Sequence, residues 1–376
     1  MENRAGRYVK LLTGHNGFIP EPLPPKPPVK IEKEMTDLLS LANNSLLKLD
    51  SLGYALPDYE NFIGAYIQKE ALLSSQIEGT RATMEDVFIF NKMSSGKRNK
   101  EIIPVCNYIE ALKHGKNRLN ELPMCLRLIR EMHKILLEGA EGKNKNPGHI
   151  RTAPVVIGGT TGYVPPPPDE INKLLSDFEK YLNEENDYHP LIKCALIHYQ
   201  FEAIHPFLDG NGRIGRLLIT LYLLWKNIIE EPLLYLSYYF KKYRQEYYDR
   251  LYLVSSRGDF EQWIMFFLRG IIETSTSALN TAKDIIDLRE RHRKLLLKGK
   301  KISTTALLLF EDLFSTPFVS LEDIQEKYNV SHTTASTIIK NLKSVGIVKE
   351  DLIDRKRKNQ FKYFEYLKIL SEGTEL

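Results

Sequence analysis

One twelve-residue stretch, 205–216, holds the most reactive set of side chains in this sequence: a histidine, a carboxylate, a glycine-flanked turn and two arginines. His205 opens the stretch, and histidine is the side chain best suited to accept a proton near neutral pH. Asp209 supplies a hard oxygen ligand, and Mg²⁺ binds through one or two carboxylates together with substrate phosphates. These residue types therefore indicate chemistry on a phosphate-bearing ligand.

The turn inside this stretch has the composition of an anion-binding site. Gly210 and Gly212 flank Asn211, so the backbone can adopt positive φ and direct N–H groups toward an anion. The apolar run 217–225 follows and predicts a buried helix, whose N-terminus carries partial positive charge that favours phosphate. The two arginines are three residues apart, so we expect them on one face of the first helical turn.

Taken singly, each of these residues fits an ordinary loop with a buried histidine and surface arginines. The coincidence of six polar or glycine positions directly before a helix is hard to explain in that way. The stretch also resembles the signature of the Fic family, His-Pro-Phe-x-(Asp/Glu)-Gly-Asn-Gly-Arg-x-x-Arg, and matches it at every defined position. A signature of this length is far more specific than a short glycine motif.

The resemblance implies a mainly α-helical Fic core that transfers AMP from ATP to a hydroxyl of a target protein and releases pyrophosphate. By position, His205 would deprotonate the hydroxyl, Asp209 would hold Mg²⁺ against the α- and β-phosphates, and Arg216 would meet the γ-phosphate. Positioning and charge neutralisation dominate such transfers, which agrees with these residue types. The implied nucleotide-binding residues within the stretch are Asp209, Gly210, Asn211, Gly212, Arg213, Ile214, Gly215 and Arg216.

A second motif lies upstream, where Ser74, Glu78 and Gly79 match the family's inhibitory pattern (Ser/Thr)-x-x-x-Glu-(Gly/Asn). Serine and glutamate four apart share one helix face, and glycine suits a left-handed helix end. A short pattern of this kind also fits an ordinary amphipathic helix, but the complete signature in the same chain favours the inhibitory interpretation. The resemblance implies that Glu78 pairs with Arg216 and keeps ATP out of its productive pose.

A third segment, 148–168, predicts two short extended runs around a glycine-rich turn. Residues 155–157 are β-branched, and the prolines after Val164 stop any helix. The segment resembles the Fic flap, a hairpin that holds the target by main-chain pairing, with Ile157 and Gly158 beside the nucleotide. The implied partner is a protein with a Ser, Thr or Tyr hydroxyl docked along 149–165, and strand addition encodes little target sequence.

A tyrosine-rich segment, 235–251, also resembles the family. Tyr247 falls where some relatives line the adenine pocket, so the resemblance implies a nucleotide contact there. Tyrosines at helical spacing more often belong to a core, and that alternative stays open.

Composition is compatible with an enzyme of this kind. Hydrophobic residues make up 43% and charged residues 27% of the 376 positions, which is usual for a globular chain. The formal net charge of +4 is too small to indicate general polyanion binding. Three scattered cysteines lack metal-ligand spacing and indicate a reducing compartment. With no apolar run of about 20 residues and no signal-peptide core, we expect a cytoplasmic protein without a membrane span.

The predicted organisation follows shifts in composition along the chain. A proline-rich N-terminal arm, expected to be extended, precedes a helical region with the inhibitory helix, the Fic core, a charged linker helix and a winged helix-turn-helix. The corresponding ranges are 1–30, 31–115, 116–280, 281–300 and 301–376.

The last region resembles a winged helix-turn-helix. A helix and a turn are predicted over 321–331 and a second helix over 333–345. Strands are predicted over 347–350 and 362–366, joined by a basic hairpin tip at 354–360. From 331 to 366 there are eight Lys or Arg against four Asp or Glu, a modest excess. DNA binding and protein docking both stay open, with docking slightly favoured. Candidate contacts are Ser331, His332, Thr333, Thr334 and Lys340.

The sequence therefore predicts a self-inhibited protein adenylyltransferase that uses ATP and Mg²⁺. Alternatives left open are a DNA-binding regulator with a nucleotide-sensing Fic domain, a Fic enzyme that removes AMP, and one that uses another nucleotide. The intact His205 favours an enzyme, because a sensor needs phosphate contacts but no base. The sequence does not decide whether the chain self-associates.

Overall fold

A computed structural model describes residues 3–11, 14–52, 59–90, 100–139, 142–158, 162–298, 302–351 and 360–375. The fold is mainly α-helical, as predicted. The first helices are α1 (Lys33–Leu52), α2 (Tyr59–Ile77), α3 (Met84–Phe90), α4 (Ile103–Arg118), α5 (Leu126–Leu136), α6 (Pro168–Asn183) and α7 (Pro190–Ile204). The remaining helices are α8 (Asn211–Trp225), α9 (Ser237–Lys242), α10 (Arg244–Arg257), α11 (Phe260–Leu297), α12 (Thr304–Asp312), α13 (Leu321–Tyr328), α14 (His332–Ser344) and α15 (Phe364–Ser371).

Two short antiparallel sheets complete the described structure. The first pairs β1 (Gly6–Lys10) with β2 (Asn16–Pro20). The second has the strand order β3-β5-β4, with β3 (Phe318–Ser320), β5 (Gln360–Lys362) and β4 (Lys349–Glu350).

Helices α7 and α8 form the centre of the molecule. Thirteen residues of α7 are buried, which explains the absence of a polar face in its sequence. Helix α8 packs on α7, and α2, α4, α5, α6, α10 and α11 surround the pair. The loop between α7 and α8 is the 205–210 segment of the signature, so the fold holds this loop between buried helices.

The predicted linker helix, 281–300, is not a separate element. Helix α11 runs unbroken from Phe260 to Leu297 and crosses the predicted boundary at 280. The charged residues near its end are good helix formers, and Ile285, Leu288 and Leu296 are buried at helical spacing. The charge run therefore marks an exposed face of a continuing helix.

The predicted extended arm, 1–30, contains the β1–β2 hairpin and no helix among its described residues. Phe18 in β2 is fully buried, and its N–H donates to the carbonyl of Val164 at 2.8 Å. The arm thus packs along the segment predicted to be the flap.

The C-terminal elements follow most of the predicted order. Helix α13 begins at a capping box between Ser320 and Asp323, and α14 begins at Ser331. Residues 364–366, predicted as strand, lie instead in α15, where the buried side chains recur at helical spacing. Helix α12 and strand β3 were not predicted, and residues 354–359 of the predicted hairpin tip lie outside the described residues. The winged-helix assignment and the domain boundaries stay predictions.

None of the described helices combines the length and the apolar composition that a bilayer span requires. Cys106, Cys125 and Cys194 form no disulfide among the described residues.

Candidate functional site

The loop between α7 and α8 takes its shape from two left-handed residues. His205 ends α7 with φ 50°, and Gly210 precedes α8 with φ 79°. The Asn211 side chain closes the loop by accepting from the Phe207 N–H at 2.9 Å and donating to the Phe207 carbonyl at 2.8 Å. Both ends of this amide bond within the loop and Asn211 is buried, so its side chain is committed to holding the loop.

The first turn of α8 presents backbone rather than side chains. Among the described residues no side chain caps it, and the first N–H groups of a helix have no partner within the helix. An anion is favoured at such an end. Two of the predicted nucleotide-binding residues face inward instead: Ile214 is fully buried, and the Gly215 carbonyl bonds with the His198 ring at 3.0 Å.

Asp209 is the accessible carboxylate of this loop. Its Oδ1 accepts from the Gly210 N–H at 2.6 Å and lies 3.5 Å from Nη2 of Arg213. The side chain remains 46% exposed, so it can bind a cation. A cavity of about 170 Å³ borders both Asp209 and Arg213, which places open space beside this carboxylate and this guanidinium.

His133 of α5 contacts the 205–210 loop through a hydrogen bond and a ring stack. No sequence pattern indicates this residue. Its Nδ1 accepts from the Gly148 N–H at 2.8 Å, so its Nε2 carries the proton and donates to the Asp209 carbonyl at 2.9 Å. Its ring stacks on Phe207 with centroids 3.7 Å apart. Burial is the main cause that lowers the pKa of His133 to about 4, which keeps this neutral tautomer.

The imidazole of His205 is neutral over most of the pH range. Burial, followed by the nearby charge of Arg151, lowers its pKa to about 4. Within the described structure, the buried polar atoms without a hydrogen-bond partner include Nδ1 of His205, Nε of Arg213 and Oε1 of Glu202. Unsatisfied buried groups are uncommon and often mark a place where a ligand or water binds.

Arg216 is held by the end of α2. Its Nε donates to the Ser74 hydroxyl at 2.8 Å, and its Nη2 donates to the Ser74 carbonyl at 3.0 Å and to Glu78 Oε1 at 2.6 Å. Burial disfavours both charges, but their attraction outweighs it, so the pKa of Glu78 is lowered and that of Arg216 is raised. A Cβ at position 212 would lie 2.4 Å from Glu78 Oε1, so only glycine leaves room for this pair.

The turn after α2 presents Glu78. Gly79 has φ 101°, a left-handed conformation that suits glycine. The Gln76 amide ties the turn on its other side, because its Nε2 donates to the carbonyls of Ala82 at 3.0 Å and Thr374 at 2.9 Å. The Ser74–Gly79 motif is thus fixed both to α8 and to the C-terminal segment.

Tyr247, which the family resemblance places at an adenine pocket, is buried in the core and does not line an open pocket. It is 1% exposed, its hydroxyl bonds with Nε2 of His198 at 2.8 Å, and its ring stacks on Phe240. The neighbouring ring of Tyr248 is 40% exposed and is the more accessible of the two. Glu202 lies close to this group, and burial raises its pKa to about 7.

The predicted flap contains one bridge rather than a regular strand pair. The Ile157 N–H donates to the Tyr163 carbonyl at 2.9 Å, and Gly158 has φ 81°. The tip, 159–161, lies outside the described residues. After Tyr163, the Val164 carbonyl accepts a hydrogen bond from the Phe18 N–H of β2, so the N-terminal arm contacts this side of the flap.

Two adjoining segments of the chain match one protein family. Residues 36–117 match the Fic/DOC family N-terminal region, and residues 123–223 match the Fic/DOC family. The first segment contains the Ser74–Gly79 motif, and the second contains the whole 205–216 signature.

Curated relatives carry the name protein adenylyltransferase Fic. The protein of Culex quinquefasciatus is 32% identical over 195 residues, and that of Drosophila melanogaster is 30% identical over 243 residues. These matches cover 50% and 60% of this chain but only 35% and 46% of the relatives. The chain therefore spans less than half the length of these curated relatives.

Solved structures show the same fold. A Fic family protein from Desulfovibrio desulfuricans G20 superposes with a TM-score of 0.59 at 21% identity, covering 89% of this chain and 97% of that one. A Fic domain containing signaling protein from Bacteroides thetaiotaomicron VPI-5482 gives a TM-score of 0.52 at 20% identity, covering 67% and 97%. The two family matches and the shared fold agree with the geometry of the α7–α8 loop, and the chain belongs to the Fic/DOC family.

Proposed function

We propose that this protein is a protein adenylyltransferase that moves AMP from ATP to a Ser, Thr or Tyr hydroxyl, and that Glu78 restrains it by pairing with Arg216. One observation carries the proposal: a neutral imidazole, an exposed carboxylate and two arginines meet at the uncapped N-terminus of one buried helix. The names of the curated relatives support the same activity.

In the proposed reaction, the target hydroxyl oxygen forms a bond to the α-phosphorus of ATP. The bond from that phosphorus to the bridging oxygen breaks, and pyrophosphate leaves. The hydroxyl proton passes to the imidazole of His205, whose pKa of about 4 keeps it unprotonated and ready to accept. The N–H groups of the first turn of α8, with Arg213, stabilise the phosphate charge as it develops.

The γ-phosphate requires a partner that is occupied in the resting protein. Arg216 is 2% exposed, and its Nε and Nη2 are engaged by Ser74 and Glu78. A productive triphosphate must therefore displace the Glu78 carboxylate or wait for the end of α2 to move. The proposed restraint thus acts on the pose of ATP rather than on His205.

Asp209 fits a magnesium ion that takes its other ligands from phosphates and water. It is a single, 46% exposed carboxylate beside a cavity, and Mg²⁺ commonly uses one carboxylate in this way. When bound there, the ion would neutralise triphosphate charge and favour departure of pyrophosphate.

Asp209→Ala is expected to reduce magnesium-dependent transfer by about a hundredfold, since metal stabilisation of a phosphoryl transition state contributes several kcal/mol. The measurement is the rate of transfer against Mg²⁺ concentration in the Glu78→Gly background. Asp209→Glu should retain part of the activity at higher Mg²⁺. Asp249→Ala, which alters an exposed carboxylate of α10, is the matched control and should behave as the parent. Undiminished activity of Asp209→Ala would remove Asp209 from the metal role.

The target would dock along 149–165 through main-chain pairing. Val156 in this segment is 44% exposed, which leaves an apolar side chain available to a docked peptide. The deciding experiment incubates the Glu78→Gly protein with a lysate and ATP labelled on the α- or the γ-phosphate, followed by mass spectrometry. Transfer of the α-label alone, with a mass increase of AMP on a hydroxyl residue, supports the proposal. Transfer of the γ-label, of another nucleotide, or removal of AMP would assign one of the alternatives.

For the C-terminal region, 301–376, we propose a winged-helix module that docks a protein. Its α14 begins with exposed residues 331–334 and exposes Lys340, so the predicted contacts are available. The excess of four positive charges over 331–366 is small for a DNA-binding surface. Binding to duplex DNA that weakens steeply with salt would reverse this assignment.

A further inference from the structure

Arg151 is a buried arginine that the proposed mechanism does not use. It lies at the base of the predicted flap and is 1% exposed. In the part of the chain that the structure describes, no carboxylate forms a salt bridge with it. Its partners are backbone carbonyls: Nε donates to His205 at 2.8 Å, Nη1 to Ala153 at 3.1 Å, and Nη2 to Pro166 at 2.6 Å and Ile204 at 3.5 Å.

These bonds complete the C-terminus of α7. The last carbonyls of a helix have no partner within the helix, and an arginine is favoured there by the helix dipole. Arg151 binds the carbonyls of Ile204 and His205, and the Tyr163 hydroxyl binds that of Ala203 at 2.8 Å. The backbone N–H of Arg151 also donates to the Pro206 carbonyl at 2.9 Å. Side chains of the flap, rather than a glycine, therefore hold His205 in its left-handed conformation.

The same guanidinium also joins the two arms of the flap. Ala153 lies on the arm before the tip and Pro166 on the arm after it, and the carbonyl oxygens of both accept hydrogen bonds from the guanidinium of Arg151. A planar fork with five N–H groups on three nitrogens can satisfy these four carbonyls on three chain segments, whereas an ammonium group offers three N–H donors from a single nitrogen.

We propose that Arg151 is a positioning residue: it fixes the backbone of His205 and both arms of the flap with one guanidinium, so that a target hydroxyl held on the flap meets the imidazole. This inference rests on the proposed transferase function and deepens it. Displacements of about 1 Å can cost two orders of magnitude in rate, so a rigid link between base and target segment matters for the reaction.

The charge of Arg151 has a second effect on His205. The charged groups that act on this imidazole are Arg151 at the flap base, Glu78 after α2 and Asp209 in the loop. After burial, Arg151 is the strongest cause that lowers the pKa of His205, while the backbone of Glu202 and the carboxylates of Glu78 and Asp209 raise it. Removing the positive charge should therefore raise the pKa of His205, so that the histidine protonates at a higher pH.

The test compares Arg151→Gln, which removes the charge, with Arg151→Lys, which keeps it but lacks the fork. Imidazole resonances of His205, assigned by comparison with His205→Ala, are followed by NMR against pH. Arg151→Gln should move this titration upward by about one pH unit, the usual effect of a nearby charge. Arg151→Lys should leave the titration near that of the parent. Arg130→Gln is the matched control, because Arg130 is exposed and donates to the Gly148 carbonyl at the same flap base; its His205 titration should not move.

Transfer kinetics in the Glu78→Gly background give the second readout. Both Arg151 variants should lose at least about tenfold in kcat on a protein target with ATP affinity unchanged, because positioning is lost while the phosphate contacts remain. An unchanged His205 titration in Arg151→Gln, or an unchanged kcat in Arg151→Lys, would overturn the proposal. If Arg151→Gln does not fold, the kcat of Arg151→Lys still tests the proposal. If the Glu78→Gly parent itself transfers no AMP, the proposed function fails, whereas the titration of His205 still tests the link to Arg151.

Discussion

Replacing His205 with alanine is expected to abolish AMP transfer and to leave ATP binding largely intact. Removal of a general base costs at least about a hundredfold in rate. The proposed phosphate contacts come instead from the first turn of α8 and its arginines, which the substitution does not touch. The measurements are the rate of labelling at saturating ATP and the ATP dissociation constant by calorimetry, both in the Glu78→Gly background.

The pH dependence of the same reaction tests the state of this imidazole. The pKa of His205 is lowered to about 4, so the neutral form persists well below the ordinary histidine pKa of about 6.5. Transfer should therefore not fall through protonation of His205 between pH 7 and pH 5.5. His332→Ala, an exposed histidine of α14, is the control and should keep full activity. Comparable rates for His205→Ala and its parent would remove His205 from the reaction.

The candidate site could be predicted from sequence where its residues are close together in the chain. The glycines, Asp209 and the arginines of 205–216 act within one turn, so local composition defines them. The pairing of Glu78 with Arg216 joins residues 138 apart, and it was predicted from the family pattern. No periodicity in the chain indicates that contact.

His133 and Arg151 were missed for a physical reason. Each acts through backbone atoms of distant segments: His133 through Gly148 and Asp209, and Arg151 through both flap arms and α7. Backbone carbonyls and N–H groups are present at every position, so the sequence carries no mark of which ones are used. A buried histidine or arginine is then indistinguishable from other helix or loop residues.

The differences in the fold have a similar origin. The charge run after 288 was interpreted as a linker, but lysine, arginine and glutamate favour helix, and packing of one face extends α11 to Leu297. Residues 364–366 alternate in a way that fits a strand, yet Tyr366, Leu367 and Leu370 bury one helical face. In both places the deciding information is which face meets the core, and that depends on tertiary packing.

Glu78→Gly is expected to raise transfer activity, including labelling of the protein itself. The substitution removes the carboxylate that lies 2.6 Å from Nη2 of Arg216 and frees this arginine for the γ-phosphate. A hydrogen bond to a charged group contributes about 1.5–3 kcal/mol, which corresponds to roughly 10- to 100-fold in rate when it must break before ATP binds productively. The measurement is incorporation of α-labelled AMP into a protein target at matched enzyme concentration.

Most substitutions in an enzyme lower its activity, so a gain needs a specific cause. Substitutions of Arg216 and of its partner Ser74 test whether release of Arg216 is that cause. Arg216→Ala in the Glu78→Gly background should cancel the gain, because the side chain that is released no longer exists. Ser74→Ala should give a smaller gain, since it removes the hydroxyl that binds Nε but leaves the ion pair. Glu121→Gly changes an exposed glutamate that also follows a helix and pairs with an arginine, and it should have no effect. If Glu78→Gly is no more active than the unmodified protein on any target, the ion pair with Arg216 is a structural contact and not a restraint on ATP.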